Sequence, residues 1–197
     1  MKHILYLIPG WSEHTSQKEY QELKSRFKNK GYKVVEISIM WRKRVMSEYV
    51  DEFLSQCIHT KNNKVSVLGY SFGAMIACIS SRYISYTNMY LCSLSPFFKE
   101  DLINVPKSWK KELGIRRIKD FSTLSFNEII EKWNPPTNVY LFFGEEEYHL
   151  LIRRVKDAHI NIKNSQLISV PNCKHQLSHK NYLEKVKEND FLKNTNI

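Results

Sequence analysis

The sequence predicts an α/β fold in three layers, a mostly parallel six-stranded sheet with helices on both faces. Three observations predict it. Short apolar runs alternate with longer amphipathic segments along most of the chain. The runs are apolar throughout, so the strands they form must be covered on both sides, as parallel strands are. One of them, Lys64-Val65-Ser66-Val67-Leu68, leads into Gly69-Tyr70-Ser71-Phe72-Gly73 and then into the apolar stretch Ala74-Met75-Ile76-Ala77-Cys78-Ile79. That is a G-x-S-x-G pattern on a strand-to-helix turn, where the serine is held in a strained conformation with its hydroxyl lifted clear of the backbone. The flanking glycines are a steric need, because side chains two residues before and after the serine would crowd the turn.

Taken in order, residues 3–8 read as a strand and 17–30 as an amphipathic helix closed by Gly31. Residues 33–40 form the second strand, 45–58 the second helix and 65–68 the third strand, which ends at the elbow. Residues 72–85 are apolar on nearly every side, as expected of a helix buried against a sheet. The fourth strand spans 89–94, and the fifth and sixth 138–143 and 166–170, with a helix around 150–160 between them. The last helix covers 179–192. Residues 96–136 break the rhythm with a long basic stretch that holds Trp109 and Trp133. An excursion of this kind above the carboxyl ends of the strands shapes a binding site. No repeat or low-complexity linker divides the chain, so residues 1–197 are expected to form one domain with 96–136 as a cap-like insertion.

Composition narrows the class. A hydrophobic fraction of 42% and a charged fraction of 25% are those of a soluble globular protein. No stretch approaches the length that spans a bilayer, and the apolar run 4–9 is too short for a signal-peptide core, so a cytoplasmic protein is expected. Cys57, Cys78, Cys92 and Cys173 show no paired spacing, which fits a reducing compartment, and no cysteine or histidine set has zinc-ligand spacing. Cys173, two residues before His175, is the one thiol whose reactivity is of interest. The net charge of +10 is spread along the chain without a nucleic-acid-binding motif, so nucleic acid is not an expected partner. Residues 107–119 hold six basic residues against one acidic. They form either a solvated helix face or a positive rim that attracts anionic substrates or makes peripheral contact with a membrane surface.

A serine hydroxyl becomes a good nucleophile only when a base takes its proton, and the base must be oriented by a third group. Both partners are expected just after later strands. Gly144-Glu145-Glu146-Glu147-Tyr148 follows the fifth strand, and Pro171-Asn172-Cys173-Lys174-His175-Gln176-Leu177 follows the sixth. The order is Ser, acid, His. With Leu7-Ile8-Pro9-Gly10-Trp11 after the first strand, these pieces resemble the α/β-hydrolase superfamily over almost the whole chain, in the form of a small intracellular esterase-like member.

The resemblance implies Ser71 as nucleophile, His175 as general base and Glu147 as the acid, since members commonly read Gly-x-x-Asp after that strand. Glutamate replaces the commoner aspartate here, and Glu145, Glu146, Asp157 and Asp101 remain alternatives; His179 is the alternative base. Where many relatives have histidine before the glycine of the first loop, this chain has Pro9. An oxyanion hole needs only backbone N–H groups, assigned here to Trp11 and Phe72. Gly10, Tyr70, Phe97 and Trp109 are the candidate substrate contacts, with Phe98 in the same apolar wall and His14 near the pocket. The expected activity is hydrolysis of a carboxylic ester or thioester on a small-molecule acyl substrate, through an acyl-serine intermediate. No metal or organic cofactor is called for, and the expected state is a monomer or weak dimer. A peptidase or amidase of the same fold and a catalytically silent binding protein are the alternatives.

Overall fold

The computed structural model describes residues 3–58, 64–131, 133 and 137–188. Its strands are β1 (His3–Ile8), β2 (Tyr32–Glu36), β3 (Lys64–Tyr70), β4 (Asn88–Cys92), β5 (Asn138–Gly144) and β6 (Ser165–Val170). They form a six-stranded sheet in the order β2-β1-β3-β4-β5-β6. Every adjacent pair is parallel, which sharpens the expectation of a mostly parallel sheet. Parallel neighbours need long crossovers. These contain α1 (Lys18–Asn29), α2 (Met46–Gln56), α3 (Phe72–Ser80) and α7 (His149–Asn161), with α4 (Lys107–Leu113), α5 (Ile115–Phe121) and α6 (Phe126–Glu131) in the longest connection and α8 (Lys180–Glu188) after the last strand.

The pleat sends alternate residues to opposite faces. Ile4, Tyr6 and Ile8 join buried residues of α2, α3 and α7 in one cluster, while Leu5 and Leu7 join those of α1 and α8 in the other. Burying one such side chain stabilises the fold by roughly 1.5–3 kcal/mol. A strand covered on both sides gains this at every position, which is why β1 is apolar without alternation.

Three elements end earlier than their apolar patterns predict, two because side chains take the backbone over and one because of a backbone angle. β2 stops at Glu36 rather than Met40. Beyond it the Ser38 amide donates to Gln56 Oε1 and the Met40 amide to Glu52 Oε2, so α2 covers the sheet edge. α3 stops at Ser80 rather than Ser85. There the Ser80 and Ser81 hydroxyls donate to the Ala77 and Cys78 carbonyls, in competition with helix continuation. β4 stops at Cys92 rather than Leu94, because Ser93 adopts a left-handed φ of 51° that no strand tolerates. The predicted last helix is described only to Glu188.

The described residues of the excursion form no core of their own. Phe97, Phe98, Leu113, Phe121, Phe126 and Ile129 belong to the same buried cluster as β1 and α3. A buried ion pair fastens it to α7: Arg154 Nη1 donates to both carboxylate oxygens of Asp101, at 3.2 and 3.3 Å. The Arg154 guanidinium also lies 4.2 Å from the centroid of the Phe126 ring. Burial pushes the Asp101 carboxyl up, and Arg154 draws it only part of the way back. Asp101→Ala should cost about 3–5 kcal/mol in urea unfolding, because it leaves a buried guanidinium unpaired. Replacing both members by apolar residues of similar volume should recover most of that loss, and a single-variant cost below about 1 kcal/mol would show the pair to be ornamental.

Candidate active site

The strand order reverses between β1 and β3: from β1 the chain passes to β2 on one side and then to β3 on the other. At such a switch point the loops leaving two neighbouring strands diverge and open a crevice at their carboxyl ends. The loop after β1 holds Gly10 and Trp11, and the turn after β3 holds Ser71. Ser71 has φ 55° and ψ −114°. That is a left-handed φ carried by a residue with a Cβ, at a cost of about 1–3 kcal/mol. The turn is held by the Ser71 amide donating to the Cys92 carbonyl at 2.8 Å and by the Ala74 amide donating to the Ser71 carbonyl at 3.0 Å. Its tightness explains both glycines. A Cβ on Gly69 would lie 2.2 Å from the Gly73 carbonyl oxygen, and one on Gly73 would lie 2.5 Å from the carbonyl oxygens of both Ile8 and Pro9.

The loops after β5 and β6 are bonded to each other beside this turn. The Glu145 amide donates to the Val170 carbonyl and the Glu146 amide to the Cys173 carbonyl. As a result Ser71, His175 and Glu147 come together. His175 Nε2 lies 3.0 Å from Ser71 Oγ, and His175 Nδ1 lies 3.1 Å from Glu147 Oε2. The Glu147 side chain is fully enclosed and that of His175 is 33% exposed, whereas Glu145 and Glu146 are exposed. The other Glu147 oxygen, Oε1, accepts from the Gly144 amide at 2.9 Å and from the Ser93 hydroxyl at 2.5 Å. Ser93 Oγ is also 2.7 Å from the Tyr182 hydroxyl. Burial pushes the Tyr182 phenol well up, so it stays a neutral hydroxyl at the end of this chain. An imidazole placed between a hydroxyl and an enclosed carboxylate can take the hydroxyl proton while the carboxylate orients it.

A cleft of about 400 Å³ opens over Ser71, lined by Trp11, Phe72, Ser95, Phe97, Trp109, Glu146, Glu147, Tyr148, Leu151, Lys174 and His175. Trp11 and Phe72 stack, with ring centroids 5.5 Å apart. Among the described residues, neither backbone amide of this pair donates to another protein group. Phe97 and Trp109 are in the cleft wall, and Phe98 is buried behind it. Two candidates for substrate contact lie elsewhere. The Gly10 amide donates inward, to Tyr20 Oη at 2.9 Å and Glu13 Oε2 at 3.1 Å. Tyr70 is buried, and its ring stacks on His175 at 5.1 Å, which fixes the imidazole from its side. The alternative acid Asp101 is engaged by Arg154, and Asp157 sits beside Arg153 on α7.

Sequence reasoning passed over three hydroxyls: Ser93, Tyr182 and Ser95, whose Oγ is 3.1 Å from Ser71 Oγ. A serine pair two residues apart after the fourth strand was the only signal for two of them. Cys173 is buried, and burial together with the charges of Glu147 and Glu146 pushes its thiol up to about 11, which keeps it protonated and unreactive near neutrality. Among the described residues no cluster of His, Cys, Asp and Glu side chains could hold a metal ion. No helix there is long and apolar enough to cross a membrane.

No protein-family model matches the sequence, and no curated protein does. Solved structures do match, and α/β hydrolases and esterases are among them. Est1E from Butyrivibrio proteoclasticus superposes with a TM-score of 0.77 at 12% identity, over 95% of this chain and 84% of that one. Alpha/beta hydrolase domain-containing protein 10 from mouse gives 0.70 at 12% identity, over 93% of this chain and 86% of that one. A lipase-esterase related protein from Clostridium acetobutylicum gives 0.65 at 13% identity, over 94% and 92%. The chain has the α/β-hydrolase fold.

The elbow makes its own prediction. Gly69→Ala forces a Cβ into the Gly73 carbonyl. It should destabilise the protein by about 3 kcal/mol or more in chemical denaturation. Gly31→Ala, where an added Cβ meets nothing within 4 Å but the backbone has φ 85°, should cost only about 1 kcal/mol. Equal losses would mean that the turn is not close-packed.

Proposed function

We propose that the protein is a single-domain serine hydrolase that cleaves a carboxylic ester or thioester of a small-molecule acyl substrate. The observation that carries this reading is the unbroken hydrogen-bond chain from Ser71 through His175 to an enclosed Glu147. Ser71 Oγ attacks the acyl carbon while His175 Nε2 accepts its proton. The charge that gathers on the carbonyl oxygen is met by the Trp11 and Phe72 amides, two donors with no other partner among the described residues. His175 then protonates the departing alcohol or thiol, which leaves an acyl-Ser71 ester. A water, deprotonated by His175, attacks that ester; the acid departs and the proton returns to Ser71.

Glu147 keeps the imidazole in the tautomer with Nδ1 protonated and stabilises its cationic form. With Oε1 held by Gly144 and Ser93, only Oε2 faces the imidazole. The apolar side chains of Phe97, Trp109 and Leu151 suit a short or medium acyl chain. We place the enzyme in the cytoplasm, as a monomer or weak dimer.

The test is covalent labelling by a fluorophosphonate, which needs an activated serine. The wild type should label and turn over para-nitrophenyl esters. Ser71→Ala and His175→Ala should abolish labelling and lower kcat/KM by roughly 10⁴-fold or more. Absence of labelling in the wild type would favour a silent binding protein. Glu147→Gln should cost about 10³–10⁴-fold in kcat, as loss of an orienting carboxylate does. Glu145→Gln and Glu146→Gln should each stay within about threefold of wild type, because both side chains are exposed. Comparable losses at all three glutamates would remove Glu147 from the role. Ser93→Ala should fall between these limits and lower kcat more than it raises KM, since it removes one of the two donors that hold Oε1 of the acid and does not touch substrate.

A further inference from the structure

The indole of Trp11 separates two environments. On the Ser71 side is the largely apolar cleft. A second hollow, of about 460 Å³, is lined by Trp11, Ser12, Trp41, Arg42, Lys43 and Arg117. Trp11 lines both. Half of the second lining is cationic.

Among the described residues Arg117 is held only by neutral acceptors. Its Nε donates to the Arg44 carbonyl at 3.1 Å and its Nη1 to the Leu113 carbonyl at 3.3 Å. Its Nη2 donates to the Trp41 carbonyl at 3.1 Å and to the Tyr49 hydroxyl at 3.2 Å. These bonds fix the guanidinium 5.2 Å from the centroid of the Trp11 ring and leave its charge uncancelled. Arg42 and Lys43 are exposed, and among the described residues neither they nor Arg117 forms an ion pair. Nearby cations outside the hollow do find carboxylates on α2: Arg44 pairs with Glu52 at 3.0 Å and Arg116 with Glu48 at 2.7 Å. Glu13, the acid nearest in sequence to Trp11, is engaged by the Gly10 amide and the Tyr20 hydroxyl. Three like charges therefore line one hollow beside Trp11 with no carboxylate in that lining, and a concave site of one sign concentrates the opposite sign.

We infer that this hollow binds an anionic group, a carboxylate or a phosphate, on the leaving-group side of the substrate. The enzyme then selects esters or thioesters whose alcohol or thiol portion is acidic. The direction rests on the acyl-serine reading above: the acyl chain occupies the apolar cleft, so the remainder of the substrate crosses Trp11. Arg117 supplies a fixed charge, and Arg42 and Lys43 supply donors free to close on the anion. Of the basic residues of 107–119, only Arg117 reaches either lining; Lys110 and Lys111 reach neither.

Binding and turnover test the two readings separately. In the Ser71→Ala background, para-butyryloxybenzoate and its neutral isostere para-butyryloxybenzamide are titrated calorimetrically. The carboxylate should bind about tenfold more tightly at low salt, and the preference should shrink as salt rises, since the screening length is only about 8 Å at physiological ionic strength. Adding Arg42→Gln and Lys43→Gln, at exposed positions, should bring the ratio close to unity. Equal binding of the two compounds, or a preference indifferent both to salt and to the double substitution, would overturn the subsite even if the wild type hydrolyses both. Discrimination by charge without turnover of either would overturn the hydrolase reading and leave the subsite standing. A phosphate in place of the carboxylate assigns the anion: tighter binding of the dianion points to phosphate-bearing substrates, weaker binding to carboxylates.

Discussion

The contact between the end of β1 and the start of α3 is the constraint on which the site depends. Gly73 lies so close to the Ile8 and Pro9 carbonyls that no side chain fits between them. This allows α3 to begin directly beside the loop after β1, so that the Trp11 and Phe72 rings stack and their amides belong to neighbouring turns. It also leaves the chain no relaxed route from β3 into α3, and the strain falls on Ser71. Burial of all nine residues of α3 is large enough to hold a residue at an unfavourable φ that the fully formed helix would not otherwise require.

Much of the fold was legible because its physics is local. A strand buried on both faces is apolar throughout, and a helix over a sheet has one apolar stripe, so all six strands could be placed from the sequence. The element ends were less legible. Ile37 and Ile39 continue an apolar pattern and are buried, yet they lie beyond the last residue of β2 because α2 side chains satisfy the backbone there. Whether an amide bonds a neighbouring strand or a glutamine eighteen positions away is a tertiary fact that no periodicity records.

The site divides in the same way. Ser71, Glu147 and His175 sit in patterns with a steric or positional meaning, and the three side chains meet. Ser93, Ser95 and Tyr182 have no such pattern. A hydroxyl serves equally well on a surface, at a helix end or against a carboxylate, so its identity says little until its neighbours are known. Tyr70 misleads for the opposite reason. It stands within the most informative motif of the chain, and its ring nevertheless points to the imidazole rather than to the cleft.

The hydroxyl of Tyr182 belongs to α8, more than a hundred positions after the elbow, and reaches Glu147 through a single serine. Ser93 owes that phenol to the docking of α8 against the sheet, where Tyr182, Leu183 and Val186 are buried. The last helix of the chain is thereby wired to a carboxylate that follows the fifth strand, so whatever loosens α8 from the sheet unsettles Glu147 as well.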